Sequence, residues 1–476
     1  MTHPISRRRA IGLGLLGVGS LGLGVAGVAS SGLRSGPSAA NASGGAPATS
    51  WSEPTVLASS GGVLTFDLTV SEATVDVAGT SARMLAYNGT VPGPTLHVRP
   101  GDTLRVHLVN RLDQPTNLHT HGLVVSARGN GDNPFVSVEP GESFDYEISL
   151  PDDHPHGVFW YHPHRHGFVA DQVFGGLYGA IVVDEEEWSQ RPPRVVVVSD
   201  VTLAGGAVAS VSDAERLQGR VGDVVLTNGL AAPPLAVPSG GTERLLIVNA
   251  CVSRYLDLGG LAMTVRGLDS GSFVPPRTVD RLVLAPGNRA DVLVEGPDRP
   301  VALVARAYDR GAGGMGMMGA VEQESDATIL TLVPDAGAGP TAAAAPAKSP
   351  PRDLRNGDID HARTLTFTMG MGGGMRFLID GRPFDPDRVD QTVDIGTVEE
   401  WTLANATMMG HPFHLHIWPM QLVDHNGVDV RDVVDVPAGR SVRVRIAFDR
   451  FPGRTVYHCH ILDHEDLGMM GVIEAS

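Results

Sequence analysis

The segment from His458 to Met469 brings a thiol, three imidazoles and a thioether within reach of one another. Thiolate and thioether are soft ligands and imidazole a borderline one, a combination that suits copper. Side chains alternate between the two faces of an extended strand, so Cys459 points one way while His458 and His460 point the other. One strand can therefore serve two metal sites. Cys459, His464 and a weak axial Met469, joined by one more histidine from elsewhere, would form the trigonal His2Cys site of blue-copper electron transfer. The two flanking imidazoles would bind a second centre behind it.

Three further clusters are His119-Thr120-His121, His162-Pro163-His164 and His411-Pro412-Phe413-His414-Leu415-His416. A lone histidine is usually a solvated or core residue. Four clusters are different, because neutral imidazoles gathered together have little purpose without a metal. His3, His97, His107, His154, His156, His166, His361 and His425 lie outside the clusters and read as structural or exposed; His166 has the alternative role of orienting His164. Cys251, the second of two cysteines, reads as a small buried hydrophobe.

The elements that must position these groups are short strands. Three segments place Gly nine positions before Asn across an alternating stretch: Gly101 to Asn110, Gly240 to Asn249 and Gly396 to Asn405. Thirty to forty residues after each Asn comes a turn and another strand, at Pro140-Gly141, Pro286-Gly287 and Pro437-Ala438-Gly439. A third element follows, as at Val158 to His162, Val301 to Ala305 and Thr455 to Cys459, so the spacing repeats as well as the motif. The middle copy has no metal ligands. Frequent Gly and Pro turns point to antiparallel sandwiches and not to strand–helix–strand units. The chain is predicted to be all-β, with domains over 50–187, 188–335 and 360–476 and an Ala/Pro/Gly-rich linker over 336–359.

A chain of 476 residues is long enough for several cores. Its net charge of -17 excludes nucleic-acid or anionic-membrane binding through a basic stripe. Residues 1–42 are set apart from the fold: Ser6-Arg7-Arg8-Arg9-Ala10-Ile11, an apolar run from Gly12 to Ser31 and Ala40-Asn41-Ala42 read as a twin-arginine signal with its cleavage site. The expected route is export of the folded protein to the periplasm, cell envelope or outside, with no stable membrane anchor after processing.

The four clusters resemble the signature motifs of the multicopper oxidases, the family of laccases and bacterial copper-efflux oxidases, and the resemblance runs through the whole mature chain. It implies three consecutive cupredoxin-like Greek-key β-sandwich domains and four copper ions. By that resemblance His411, Cys459, His464 and Met469 form a type 1 site, and His119 with His414 a type 2 site. One copper of the coupled type 3 pair falls to His121, His162 and His460, the other to His164, His416 and His458. Such an enzyme couples four one-electron oxidations to reduction of O2 to water, and Glu465 and Asp132 resemble the family's proton-relay acids. The implied reductant is a phenol or aromatic amine, with Cu(I) the alternative. Met315 to Met318, Met369 to Met375 and Met408-Met409 resemble the methionine-rich segments of cuprous oxidases, since thioethers favour Cu(I). Against that reading, Thr407 stands where those oxidases place an aspartate. Two other classes fit less well: a non-enzymatic sandwich protein would not need the complete ligand set, and a copper nitrite reductase would not need eight histidines beyond the type 1 pair.

Overall fold

The computed structural model describes residues 48, 50–184, 192–311, 324–335, 351–370 and 375–476. The expected signal 1–42, most of the linker and Met315, Met317, Met318 and Met371 lie outside the described residues. Among the described residues are six sheets and three helices, the longest Val169–Gly175. The fold is all-β and cupredoxin-like, as expected from the turn-rich sequence.

Each of the three units pairs a six-stranded with a five-stranded sheet. In the third unit, His361–Gly370 turns back antiparallel into Arg376–Ile379. The chain then crosses to the other sheet at Gln391–Val393 and returns as Thr397–Asn405, parallel to His361–Gly370. The first unit repeats this with Val63–Val77 and Thr103–Asn110, the second with Arg194–Val201 and Thr242–Asn249. The sheets of these sandwiches therefore mix parallel with antiparallel pairs. The reason is the crossover, since a strand that leaves for the opposite layer comes back in its original direction. The hairpin Leu203–Ala204 and Ala207–Val208 follows the first strand of the middle unit yet pairs with the first unit's sheet.

The repeated residues have a common structural role. Gly101, Gly240 and Gly396 have φ of 83°, 66° and 95°, a left-handed turn that only glycine enters without steric cost. Each Asn is buried and clamps a corner. The side-chain amides of Asn110, Asn249 and Asn405 donate to the carbonyls of Gln114 and Val138, Arg254 and Leu284, and Met409 and Val436. Their oxygens accept the N–H two residues on. In the third unit this corner leads directly into His411.

Alternation buries one face of each strand. Phe367, Trp401, Leu403, Phe413 and Ile446 fill the third core, each contributing about 1.5–3 kcal/mol of burial. That rigid core carries the residues that converge on the site.

Candidate metal centres

The strand His411–Leu415 lies between Val433–Val436 and Gly453–Cys459, with Phe413 opposite Cys459 and His414 opposite His458. In the first unit, His119–His121 pairs with Gly157–His162, placing His119 opposite His162. All ten clustered histidines and Cys459 are buried.

On one side of Gly453–Cys459, the Cys459 Sγ lies 3.4 Å from His411 Nδ1 and 3.9 Å from His464 Nδ1, and those nitrogens are 3.3 Å apart. The outer nitrogens are engaged elsewhere: His411 Nε2 with the Thr407 hydroxyl at 2.8 Å, His464 Nε2 with the Leu217 carbonyl at 3.3 Å. Each Nδ1 therefore presents a lone pair to the other, an arrangement that a shared cation makes favourable. Burial pushes the Cys459 thiol well up, so its thiolate also calls for a cation beside it. Phe377 stacks on His464 at 3.8 Å. Met469 is fully buried; its carbonyl accepts the Cys459 N–H and its N–H reaches the His464 carbonyl, which holds it next to both.

Behind the strand, eight imidazoles converge. His164 and His416 Nε2 approach His458 Nε2 at 3.1 and 3.3 Å, and His460 Nε2 lies 3.2 Å from His121 Nδ1. His119 stacks on His416 at 4.0 Å and His121 on His414 at 3.9 Å. The buried Nε2 atoms of His119, His162 and His414 have no hydrogen-bond partner, while their Nδ1 atoms are held by Asp132, the Pro163 carbonyl and the Asp432 carbonyl. Three all-histidine sets bring one donor atom each within 4.8 Å: His164, His416, His458; His119, His121, His162; and His119, His414, His416; a fourth set joins His121 and His414 with Asp432. Burial, reinforced by the neighbouring rings, lowers the pKa of His119, His121, His414, His416 and His460 and takes His162 to about 3 and His164 to about 4. Neutral rings with lone pairs aimed inward fit a cluster of copper ions.

Two acids named from the sequence meet different imidazoles of the cluster. Asp132 lies 2.9 Å from His119 Nδ1 and accepts the Thr120 N–H; burial raises it to about 7 against that hydrogen bond. Glu465, fully buried, has Oε2 3.0 Å from His458 Nδ1 and Oε1 3.5 Å from His164 Nε2. Burial raises its pKa, whereas the His458 and His164 imidazoles lower it and prevail. His458 Nδ1 also faces the Cys459 carbonyl at 3.0 Å.

Glu465 belongs to the helix Leu462–Asp466, whose four polar side chains each address a different part of the molecule. Asp463 takes a bidentate pair from Arg220 of the middle unit. His464 faces the thiol and Glu465 the imidazole cluster. Asp466 accepts the N–H groups of Gly167 and Ala170 in the first unit.

Sequence reasoning missed Asp432, whose Oδ1 lies 3.1 Å from His121 Nε2, and Arg289, which pairs with Asp432 at 2.5 and 2.6 Å. Neither sits in a histidine cluster, and only the fold brings them there. Also missed was a cleft of about 280 Å³ whose lining includes Tyr255, Tyr308, Arg310, Gly410, Asp435 and Arg440. Gly410 precedes His411, so the cleft adjoins the thiol site. Tyr255 donates to Asp435 at 2.7 Å and stacks on Tyr308 at 4.7 Å.

Among the described residues, none of the other histidines joins a ligand group. His154 Nε2 accepts the Val124 N–H, His107 meets Asp145 at the surface, and His166 packs edge-on against Phe384. Cys251 is buried, with burial raising its thiol.

Fold and site together define a β-sandwich protein equipped to hold several redox-active metal ions, one on a thiolate and the others on imidazoles. The multicopper oxidase family matches residues 69–187, 179–327 and 352–476. The chain is 26% identical over 415 residues to multicopper oxidase mco of Staphylococcus haemolyticus, covering 82% of this chain and 84% of that one. It is 28% identical over 472 residues to multicopper oxidase MmcO of Mycobacterium tuberculosis, covering 86% of each. A solved multicopper oxidase from Campylobacter jejuni, described as a metallo-oxidase, superposes with a TM-score of 0.79 at 27% identity over 90% of this chain and 96% of that one. Other relatives carry the names laccase and copper resistance protein A. The chain belongs to the multicopper oxidase family, and is thereby a copper-dependent oxidoreductase.

Proposed function

We propose that the chain is a laccase-like oxidase that takes electrons one at a time from small phenols or aromatic amines and delivers them in fours to O2, forming water. The observation that carries this reading is the strand ending at Cys459. Its sulfur faces His411 and His464, while its covalent neighbours His458 and His460 reach His164 and His121 at 3.1 and 3.2 Å. Bound copper would supply one-electron storage at both ends of that bridge.

In this reading His411, Cys459, His464 and Met469 hold a type 1 copper, His119 and His414 a type 2 copper, and His121, His162 and His460 with His164, His416 and His458 a type 3 pair. Asp132, raised to about 7, can hold a proton beside the cluster, and Glu465, kept ionised by the neighbouring imidazoles, can take one up and pass it on; O2 reduction consumes them. The cleft beside Gly410 seats the reductant: the Tyr255–Tyr308 wall suits an aromatic ring, and Asp435 accepts a hydrogen bond from its hydroxyl or amine. Thr407 occupies the outer nitrogen of His411, so electrons enter across protein contacts without direct ligation.

A second reading, oxidation of Cu(I), is favoured by Met408, which is 60% exposed and whose carbonyl borders Gly311 at the cleft. Relatives named copper resistance protein A point the same way. Export as a folded protein belongs to either reading. No helix among the described residues is long and apolar enough to cross a membrane.

The test is copper loading followed by oxygen uptake. The copper-loaded protein is expected to show thiolate-to-copper absorption in the red and to consume O2 with a phenol without releasing peroxide; absence of that absorption overturns the proposal. Comparing Cu(I) with a phenol, in the parent and a variant lacking Met315 to Met318, separates the substrates. Selective loss of the Cu(I) rate supports copper detoxification, and no selective loss supports the laccase reading.

A further inference from the structure

The middle unit has no metal ligand among its described residues, yet one of its side chains is built into the wall of the imidazole cluster. Arg289 is fully buried. Its guanidinium forms a two-pronged pair with Asp432 of the third unit at 2.5 and 2.6 Å, while Nε donates to the Val158 carbonyl of the first unit at 3.2 Å and Nη1 to the Gly287 carbonyl. Ser270 of the middle unit donates to the same carboxylate at 3.0 Å. Asp432 Oδ1, which also accepts from Nη1, meets His121 Nε2 at 3.1 Å. One carboxylate thus links all three units.

His121 is the odd member of the cluster. His119, His162, His164, His414, His416, His458 and His460 turn Nε2 toward the shared space or leave it buried without a protein partner. His121 alone turns Nδ1 inward, 3.2 Å from His460 Nε2. A neutral imidazole carries its proton on one nitrogen, and whichever nitrogen donates outward leaves the other free to ligate. The carboxylate at Nε2 therefore decides which atom of His121 faces the metal. Arg289 holds that buried carboxylate against Nε2 in the fork geometry that matches it.

Two glycines make room for the arrangement. Gly122, with φ of 84°, lies against the guanidinium; a Cβ there would collide with Arg289 and come within 2.9 Å of Asp432 Oδ2. At Gly287 a Cβ would lie 2.9 Å from the His460 ring. The middle unit thus approaches two cluster imidazoles, His121 through Asp432 and His460 directly.

We propose that Arg289 and Asp432 are positioning residues for the coupled copper pair: they select the Nδ1-facing form of His121 and lock it, so that the ligand-free middle unit completes the trinuclear site. This rests on the trinuclear reading above. It assigns to the middle unit a role in metal retention, beyond spacing the other two.

The test compares the copper-loaded parent with Arg289→Met and Asp432→Asn, reading three signals. The red thiolate-to-copper absorption reports the type 1 site, the near-ultraviolet absorption and magnetic silence of the coupled pair report the cluster, and chelator competition reports retention. Expected in both variants is full red absorption with about 10- to 100-fold weaker retention of cluster copper, and cupric signal newly visible by paramagnetic resonance. Arg289→Lys, which keeps the charge but not the fork, should recover part of the pair signal. A general loss of packing would instead diminish both sites together. If Arg289→Met does not fold, the near-isosteric Asp432→Asn decides alone, and an unchanged pair signal there overturns the proposal. A parent that shows the red band but never the coupled pair overturns the trinuclear reading, and the clamp with it; a parent with both signals whose variants keep both overturns the clamp alone.

Discussion

Glu465 is placed where a surface charge has no business: fully buried, 3.0 Å from His458 Nδ1 and 3.5 Å from His164 Nε2. A carboxylate in that position can take up a proton and pass it on to a reaction that consumes protons, and such acid–base catalysis is worth at least about a hundredfold. Glu465→Gln should lower oxygen-limited turnover by about that factor, with the deficit growing as pH rises, because an amide carries no transferable proton and bulk acid compensates only at low pH. The red absorption should stay. Steady-state O2 uptake across pH checks this, and an unchanged profile removes the relay role. In the cleft beside Gly410, a Cβ on that glycine would lie 3.4 Å from Asp435 and 3.5 Å from Tyr255, ordinary contact for one carbon and crowding for more. Gly410→Val should therefore raise KM for phenols several-fold while Gly410→Ala does little, and steady-state kinetics with a small and a bulky phenol distinguishes the two. The clustered residues were legible because each ligand type sits at short spacing from another. Arg289, Asp432 and Tyr255 were not, since what gives them a role is contact across well over a hundred residues of chain.

At the scale of elements, the repeated Gly-to-Asn spacing was readable as a repeat, but its purpose lies in hydrogen bonds that no periodicity reveals. Each Asn fills a corner between strands by donating to two carbonyls, one in the adjoining loop and one on a residue paired with a neighbouring strand or segment. Leaving such a buried group unpaired costs about 1–3 kcal/mol. Asn249→Ala and Asn405→Ala should therefore both lower the unfolding midpoint. Only Asn405→Ala should also shift the red absorption, because Asn405 accepts from the Thr407 hydroxyl that meets His411. Thermal unfolding and visible spectra of the two variants side by side check the distinction, and a spectral shift in Asn249→Ala would argue that the corners are coupled across units. The mixed sheet pairing was illegible for a related reason: strand alternation reports which face is buried, not the direction of the neighbour.

At the scale of the whole molecule, the three units meet at the helix Leu462–Asp466, and Arg220 is the junction's strongest tie. It grips Asp463 of the third unit with two prongs and Asp171 of the first with a third contact at 2.6 Å. Asp463 is wholly buried and Asp171 partly exposed, with side-chain exposures of 0% and 42%. Removing the guanidinium leaves the buried Asp463 with only a long contact to Arg216 at 3.9 Å and the residue-220 N–H, a loss approaching about 3–5 kcal/mol, so Arg220→Ala should unfold at markedly lower temperature. It should also disturb the red absorption and O2 turnover together, because His464 and Glu465 flank the helix residues that Asp463 anchors. The Asp171 arm has a pH signature. Burial raises its pKa, but the Arg220 and Arg216 charges and hydrogen bonds outweigh that and hold it below the usual carboxylate value. A depressed folded-state pKa gives stability that is complete above the unfolded pKa, near 3.9 for aspartate, and is lost as pH falls through the lower folded value. Asp171→Asn should therefore cost a small, solvent-screened amount at neutral pH, and the gap between parent and variant should close as the acid limb is approached. Thermal unfolding of both proteins from pH 7 downward reads this directly: parallel curves with a constant gap would mean that Asp171 acts through packing and not through its charge.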